Sequence, residues 1–358
     1  MTLSDSPLPV SALPRGLAVP PFRQSVYLAR RPGGDWQVWL RDAGRLVRAR
    51  GSDPELRQWA QAQDSGLAQH VEDWLTRPAP TRFAGLALDR PLLMGVVNVT
   101  PDSFSDGGMT ETSEAAIARG RALAEQGADI IDVGGESTRP GADPVPVAQE
   151  IERIRPVVAA LAGDGLLVSI DTRHAPVMQA ALAAGARIIN DVTALSGDPD
   201  SLSLAAASNA AIILMHMQGQ PRDMQRKPHY HFAPLDVFDA LSERVAACCA
   251  AGISSARLCL DPGIGFGKTV AHNCQLLAHL PLLHGLGLPL LLGVSRKSFI
   301  AALSRGEAVD RRLPGSLAGA LAGLQRGVQI LRVHDIAETS QAVSVWRAIQ
   351  LATPAECG

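Results

Sequence analysis

The sequence lacks any arrangement of cysteines that would hold a metal cluster or form a disulfide framework. Its cysteines are five, an odd number, and none of them lies in a CxxC pair. They are Cys248, Cys249, Cys259, Cys274 and Cys357. This pattern indicates a reducing compartment, and we expect a cytoplasmic location.

The chain also lacks an excess of charge of either sign and any long apolar run. Lys and Arg number 33 against 35 Asp and Glu, which gives a net charge of −2. This balance argues against general attraction to nucleic acid or anionic membrane, so any phosphate binding has to be local. No apolar run approaches the ~20 residues of a bilayer span, and no signal-peptide pattern is present at the N-terminus. We therefore expect a soluble protein that binds neither nucleic acid nor membrane.

Residues 1–88 differ in character from the rest of the 358-residue chain, and we predict a small N-terminal α+β region of unknown role. A Pro-rich, weakly patterned tail covers 1–21. Alternating apolar residues on both sides of the Pro-Gly-Gly at 32–34 then predict a hairpin. Residues 54–75 have the period of one or two amphipathic helices with four inward residues, Trp59, Leu67, Val71 and Leu75. Packing or oligomerisation is the simplest role for this region.

Residues 89–358 alternate short apolar segments with Ala-rich stretches that favour helices. Continuous apolar runs of this length are typical of parallel strands buried on both faces. The candidate strands lie at 92–100, 129–135, 166–172, 187–193, 210–217, 256–263, 289–295 and 329–335. Eight such units over about 260 residues predict an α/β fold of the TIM (β/α)8 barrel type. A doubly wound open sheet is the alternative, but eight similar units favour closure.

Nearly every candidate strand ends in polar residues. In a barrel the C-terminal ends of the strands converge on one face, which is where active sites lie. One polar residue at the end of a strand is usually a turn former, but eight strands ending in this way are hard to explain by turn chemistry. The residues are Asn98, Asp132, Asp171, Asn190, His216, Asp261, Ser295, Arg332 and His334.

The motifs at these strand ends closely resemble those of the dihydropteroate synthases. They are MGVVNVTPDSFSDGG (94–108), DVGGESTRPGA (132–142), SIDT (169–172), INDV (189–192), MHMQG (215–219), DPGIGFGK (261–268), GVSRKSFI (293–300) and RVHD (332–335). The first two are long and highly specific, and all eight occur in the family's order. The resemblance covers the chain from about residue 91 onward and leaves the N-terminal region outside.

The resemblance implies a transferase that joins p-aminobenzoate to 6-hydroxymethyl-7,8-dihydropterin diphosphate and releases diphosphate. Its partners would be these small-molecule substrates and a second copy of the chain in a homodimer, and its cofactor would be Mg²⁺. The pterin-binding positions of the family match Asp171, Asn190 and Asp261, with Lys297 as a donor to the pterin. Taken alone, Asp171 would be explained as a helix cap and Asp261 as a turn residue. Further candidates for substrate binding are Asp132, Met215 and Gly293.

Diphosphate binding requires positive charge and N–H donors. Arg332 and His334 lie two residues apart on the last strand, so we expect them to point the same way. Asn98 matches the family's Mg²⁺ ligand, and an amide oxygen is a suitable hard ligand.

Two segments rich in Gly, Pro, Ser and Asp, at 100–108 and 137–142, are interpreted as mobile loops that close over bound substrate. The resemblance assigns Asp102 and Arg139 on these loops, together with Lys297, to catalysis. It assigns the p-aminobenzoate pocket to Thr138, Pro140, Phe266, Lys297 and Ser298.

Three other interpretations are weighed against this one. The GxGxGKT pattern at 263–269 has the wrong spacing for a nucleotide loop and is rejected. A pterin-binding methyltransferase would use a similar barrel, but it has no need for the STRPG, SRKS and RVHD segments. A catalytically silent paralogue that acts through its N-terminal region would have lost key residues, and none is lost.

The role of His216, functional or structural, stays open, and the pair His229 and His231 is assigned to a surface loop.

Overall fold

The computed structural model describes residues 7–13, 26–31, 34–42, 45–63, 65–99, 109–137, 144–220 and 222–352. Several sequence predictions lie outside these residues. They concern most of the N-terminal tail and the four loop residues Asp102, Thr138, Arg139 and Pro140.

The N-terminal region contains a four-stranded sheet of order β1-β4-β3-β2 and two helices. The strands are β1 (Leu8–Pro9), β2 (Val26–Arg30), β3 (Trp36–Asp42) and β4 (Arg45–Gly51), and the helices are α1 (Asp53–Gln61) and α2 (Ser65–Thr76). The predicted hairpin, β2 with β3, and both helices are confirmed. Trp59, Leu67 and Val71 are buried as expected, and Leu75 is half-buried. Sequence analysis missed β4, because its arginines interrupt the apolar pattern.

All eight predicted barrel strands are present, and they follow a hairpin of two short strands, β5 (Arg82–Phe83) and β6 (Leu86–Ala87). The barrel strands are β7 (Leu92–Asn98), β8 (Ile130–Gly134), β9 (Val168–Asp171), β10 (Ile188–Asp191), β11 (Ala211–Met215), β12 (Leu258–Asp261), β13 (Leu291–Leu292) and β14 (Ile330–Val333). Paired strands are parallel, in the order β12-β11-β10-β9-β8-β7-β14-β13. A parallel bridge between Leu260 and Leu290 connects the two outer strands, so the TIM barrel prediction is confirmed.

Helices surround the barrel in the predicted alternation. They are α3 (Met109–Glu125), α4 (Val147–Gly163), α5 (Ala175–Ala183), α6 (Ser201–Ala207), α7 (Ala233–Ala250), α8 (Val270–Ala278), α9 (Ser298–Leu303), α10 (Leu313–Leu324) and α11 (Ile336–Leu351). Short 3₁₀ helices cover Val10–Ala12, Ser255–Arg257, Leu280–Leu286 and Val309–Arg311. Proline occupies the first turn of α5, α7 and α10, where its missing N–H leaves no helical bond unmade. Among the described helices, none has both the length and the apolar character needed to cross a bilayer.

The barrel has an inner core and an outer core. Inward side chains near the N-terminal ends of the strands pack with Phe83 of the β5–β6 hairpin, which reaches into the inner core. The outer core lies between strands and helices and continues into the N-terminal region. There the rings of Tyr27 and Trp74 contact Phe238 on α7, with centroids 5.4 and 5.7 Å apart. The N-terminal region is therefore docked on the outside of the barrel.

Candidate active site

Four polar residues from four strands meet inside the C-terminal mouth of the barrel. Arg332 donates from Nε to Asp132 Oδ2 at 2.6 Å and from Nη2 to Asp171 Oδ2 at 2.7 Å. Asn190 Nδ2 donates to the same Asp132 oxygen at 3.1 Å. The other oxygens of both aspartates are buried and have no hydrogen-bond donor among the described residues. A buried acceptor without a donor costs about 1–3 kcal/mol, so this arrangement favours a ligand that brings N–H groups.

Lys297 and the carboxylate of Asp261 complete the charged part of the mouth. Burial raises the pKa of Asp261, and this rise is partly offset by the Gly263 N–H, which donates to Oδ1 at 2.7 Å, and by Lys297. Burial also raises the pKa of Asp171, with Arg332 and Lys297 acting in the opposite direction. Lys297 therefore acts electrostatically on both carboxyl groups. The structure thus brings together the residues for which sequence analysis predicted pterin contacts.

Phe266 lies beneath Lys297, on the loop that follows β12. The Lys297 ammonium is 4.2 Å from the centre of the Phe266 ring, which is cation–π geometry. The same loop packs tightly against the residues that follow β11. Gly263 and Gly267 make this possible, since both have positive φ angles, of 67° and 60°, and neither has a Cβ. A Cβ at Gly263 would overlap the carbonyl of His216. The glycine spacing therefore serves a tight loop against the end of β11, in agreement with the rejection of a nucleotide loop.

A buried pair that sequence analysis missed holds this loop to the end of β11. Lys268 is 3% exposed, and its Nζ lies 2.9 Å from His216 Nδ1 and donates to the carbonyls of His216 and Phe266 at 3.1 and 3.0 Å. Burial lowers the pKa of Lys268 to about 7. Burial, together with Lys268, also lowers the pKa of His216. His216 is thus a partner of Lys268, which holds the loop to the end of β11.

Other predicted residues occupy the same mouth with different partners. His334 follows β14, and its Nδ1 lies 3.0 Å from the hydroxyl of Ser295. Gly293 follows β13, and a Cβ at this position would lie 3.9 Å from both Asp261 Oδ2 and Arg332 Cβ. Met215 pairs in register with Asp261.

Two residues at the mouth keep polar groups accessible. Asn98 ends β7 and is half-buried, and its side-chain amide makes no hydrogen bond to another described residue. Ser298 is exposed at the first turn of α9, directly after Lys297. Both are therefore open to a ligand at the mouth. Away from it, His229 and His231 are exposed, as predicted.

A second acidic cluster beside the mouth was also missed by sequence analysis. Glu136, Glu150 and His174 bring ligating atoms within 4.8 Å of one another, but the Arg173 guanidinium already contacts Glu136 at 3.1 Å. This positive charge disfavours a metal ion at the cluster. Glu150 is fully buried, and burial raises its pKa to about 7. A single glutamate within a helical pattern carries no signal from which this could have been predicted.

The barrel and the buried acceptors at its mouth indicate a pterin-binding enzyme, and comparison with known proteins confirms this class. Residues 94–334 match the family model described as "Pterin binding enzyme". A dihydropteroate synthase of Neisseria meningitidis serogroup C is 48% identical over 267 residues, which are 74% of this chain and 94% of the relative.

Solved structures agree with this match. The chain is similar to a Xanthomonas albilineans dihydropteroate synthase solved with 4-aminobenzoic acid, with a TM-score of 0.71 and 49% identity over 78% of this chain and 98% of the other. It is also similar to that organism's enzyme in complex with 7,8-dihydropteroate, with a TM-score of 0.67 and 44% identity over 78% and 98% of the two chains. The chain is a pterin-binding barrel enzyme, and it belongs to the dihydropteroate synthase family.

Proposed function

We propose that the chain condenses 6-hydroxymethyl-7,8-dihydropterin diphosphate with p-aminobenzoate to give 7,8-dihydropteroate and diphosphate. The observation that carries this proposal is the set of buried acceptors around Lys297, which suits a flat heterocycle rich in N–H donors. The Xanthomonas albilineans structures with 4-aminobenzoic acid and with 7,8-dihydropteroate support the same substrates.

The pterin would lie against Asp171, Asn190 and Asp261. Their oxygens accept from the amino group and ring N–H groups of the pyrimidine edge. Lys297 donates to the pterin carbonyl or ring nitrogen and offsets the carboxylate charge. Arg332 holds Asp132 and Asp171 in place, and this contact also makes it less available to diphosphate than the sequence suggested.

Diphosphate would lie towards His334 and Asn98, with Arg332 at its inner end. The side-chain amide oxygen of Asn98, a hard ligand, would hold Mg²⁺ at this end of the mouth. When bound there, Mg²⁺ would neutralise charge on the diphosphate. His334 adds a hydrogen-bond donor at the same end of the mouth.

The reaction would be a displacement at the pterin methylene. The amine nitrogen forms the new C–N bond, the C–O bond breaks, and diphosphate leaves with the bonding electrons, after which the nitrogen loses a proton to water or diphosphate. A neutral aniline nitrogen is already nucleophilic, so no general base is needed. Positioning and charge stabilisation then supply most of the catalysis, through a loose, SN1-like transition state.

The aromatic amine would bind on the outer side of Lys297. Phe266 flanks its ring, and Ser298 with the first turn of α9 receives its carboxylate. The loop residues Asp102, Thr138, Arg139 and Pro140 would complete this side on closure and exclude water that competes for the methylene.

We also propose a cytoplasmic homodimer. Large apolar side chains are exposed on α11, at Val345, Ile349 and Leu351, and a further one, Leu303, is exposed on α9. Burial of the three α11 side chains against a second copy would remove them from water. Sedimentation equilibrium of the wild type and of Ile349→Glu tests the dimer, which the substitution should weaken.

The function is tested by measuring diphosphate release from the purified chain with both substrates and Mg²⁺. The expected result is release that requires both substrates and is lost with excess EDTA and restored by added Mg²⁺. Tight pterin binding without turnover would instead indicate a catalytically silent paralogue.

A further inference from the structure

The N-terminal region contacts the barrel through a charged cluster centred on Arg41 of β3. Arg41 donates from Nη2 to Asp236 Oδ1 at 2.8 Å and from Nη1 to Asp239 Oδ2 at 2.7 Å. Both aspartates lie in the first half of α7. The hydroxyl of Tyr27 on β2 donates to Asp239 at 2.9 Å. One arginine therefore neutralises two barrel carboxylates that would otherwise face each other as like charges.

Asp236 connects this cluster to the turn that precedes α7. While Oδ1 accepts from Arg41, Oδ2 accepts from the backbone N–H groups of His231 and Phe232 at 2.7 and 3.1 Å. The Phe232 ring also packs against Trp39 of β3, with centroids 5.1 Å apart. The turn is thus held from two sides by the N-terminal region.

Tyr230 in the same turn reaches the substrate loop. Its hydroxyl donates to the carbonyl of Gly267 at 2.9 Å, and its ring packs on His272 at the start of α8 with centroids 4.8 Å apart. Gly267 directly follows Phe266, whose ring lies beneath Lys297. Hydrogen bonds between Arg41 and Asp236, between Asp236 and the turn and between Tyr230 and Gly267 are therefore joined by adjacent backbone, and together they connect Arg41 to Phe266, which is proposed to flank the aromatic amine.

We propose that the N-terminal region is a positioning element of the active site, in which Arg41 fixes Phe266 and its loop through Asp236 and Tyr230. The proposal rests on the proposed function for its substrate, p-aminobenzoate. It concerns a feature outside the matched family segment, since the family model begins at residue 94. Loss of Arg41 leaves Asp236 and Asp239 in mutual repulsion beneath the turn, so the turn and the Gly267 carbonyl should shift or loosen.

The test compares Arg41→Ala with Arg57→Ala in the full chain. Arg57 pairs with Glu72 at 2.7 Å within the N-terminal region and contacts none of the described residues of the mouth, so it is a matched control for the loss of an arginine ion pair. For Arg41→Ala we expect KM for p-aminobenzoate to rise roughly threefold to tenfold, with kcat and the KM for the pterin substrate within about twofold of wild type. Arg41→Lys should recover part of the effect, because a lysine can still pair with one aspartate.

Hydrogen exchange gives a readout that does not depend on turnover. In Arg41→Ala the amides of residues 231–232 and 265–268 should exchange faster than in wild type, and in Arg57→Ala they should not. If the chain proves to have no synthase activity, the exchange result alone decides whether Arg41 positions the loop. The failure of the proposed function and the failure of this inference are therefore separable.

A double-mutant cycle tests the route through Tyr230. Tyr230→Phe removes only the hydroxyl that donates to Gly267, and its effect on KM for p-aminobenzoate should be non-additive with that of Arg41→Ala. Additive effects would overturn this route. Unchanged exchange in Arg41→Ala, equal changes in both arginine variants, or a fall in kcat proportional to lost folded protein would overturn the proposal as a whole.

Discussion

Replacement of Glu150 by glutamine should stabilise the protein at alkaline pH and leave it unchanged in mild acid. Glu150 on α4 is fully buried, and neither of its oxygens has a hydrogen-bond partner of good geometry among the described residues. Burial raises its pKa from 4.5 to about 7, with the Thr172 hydroxyl partly opposing the rise and Glu136 adding to it. Below that pKa the group is a neutral acid that glutamine resembles in shape and charge.

The sign and size of the effect follow from linkage between protonation and folding. Between pH 4.5 and 7 the folded protein holds a proton on Glu150 that the unfolded chain has lost, so this group's contribution to stability falls as the pH rises. A rise in the carboxyl pKa from 4.5 to about 7 corresponds to about 3 kcal/mol between the two protonation states. From pH 5 to pH 8, wild type should therefore lose about 2–3 kcal/mol relative to Glu150→Gln.

Urea unfolding of both proteins at pH 5, 6, 7 and 8 measures this difference. Glu152→Gln, at an exposed position on the same helix, is the control and should show a constant difference from wild type. A difference between wild type and Glu150→Gln that does not change with pH would refute the reasoning, because the carboxyl group would then have the same pKa in the folded and unfolded chains.

Three further predictions concern the site and the docking of the N-terminal region. Lys297→Met should raise KM for both substrates by roughly 10-fold to 100-fold, since a hydrogen bond to a charged group contributes ~1.5–3 kcal/mol. An effect on one substrate only would contradict the position of Lys297 between the two. His334→Ala should weaken binding of the pterin diphosphate about tenfold and spare the diphosphate-free pterin, and equal losses in calorimetry would show that His334 does not contact diphosphate. Gly285→Ala should lower the free energy of unfolding by about 1–3 kcal/mol, because its Cβ would overlap the Trp74 ring, whereas Gly163→Ala, with open space around it, should be tolerated.

The succession of the barrel strands along the chain and the position of the site were predictable because they depend on local sequence. Apolar runs of strand length mark where each strand lies, and parallel closure then brings the C-terminal ends to one mouth. Asp171, Asn190 and Asp261 were therefore expected at one mouth, and the resemblance to the dihydropteroate synthases added Lys297 to them. The hairpin and helices of the N-terminal region followed from period and turn residues in the same way.

The partners of these residues were decided only by the tertiary structure. Arg332 and Asp132 are separated by 200 positions, and the direction of the guanidinium depends on how β14 and β8 are placed in the closed barrel. The Lys268–His216 pair and the buried Glu150 have no pattern in the sequence, because burial of a single charged residue is set by what packs over it. The docking of Arg41 on Asp236, 195 positions away, is of the same kind. The sequence by itself determined the elements and the chemistry at their ends, whereas contacts across the fold decided which charges are paired, because such pairing depends on distances that only packing sets.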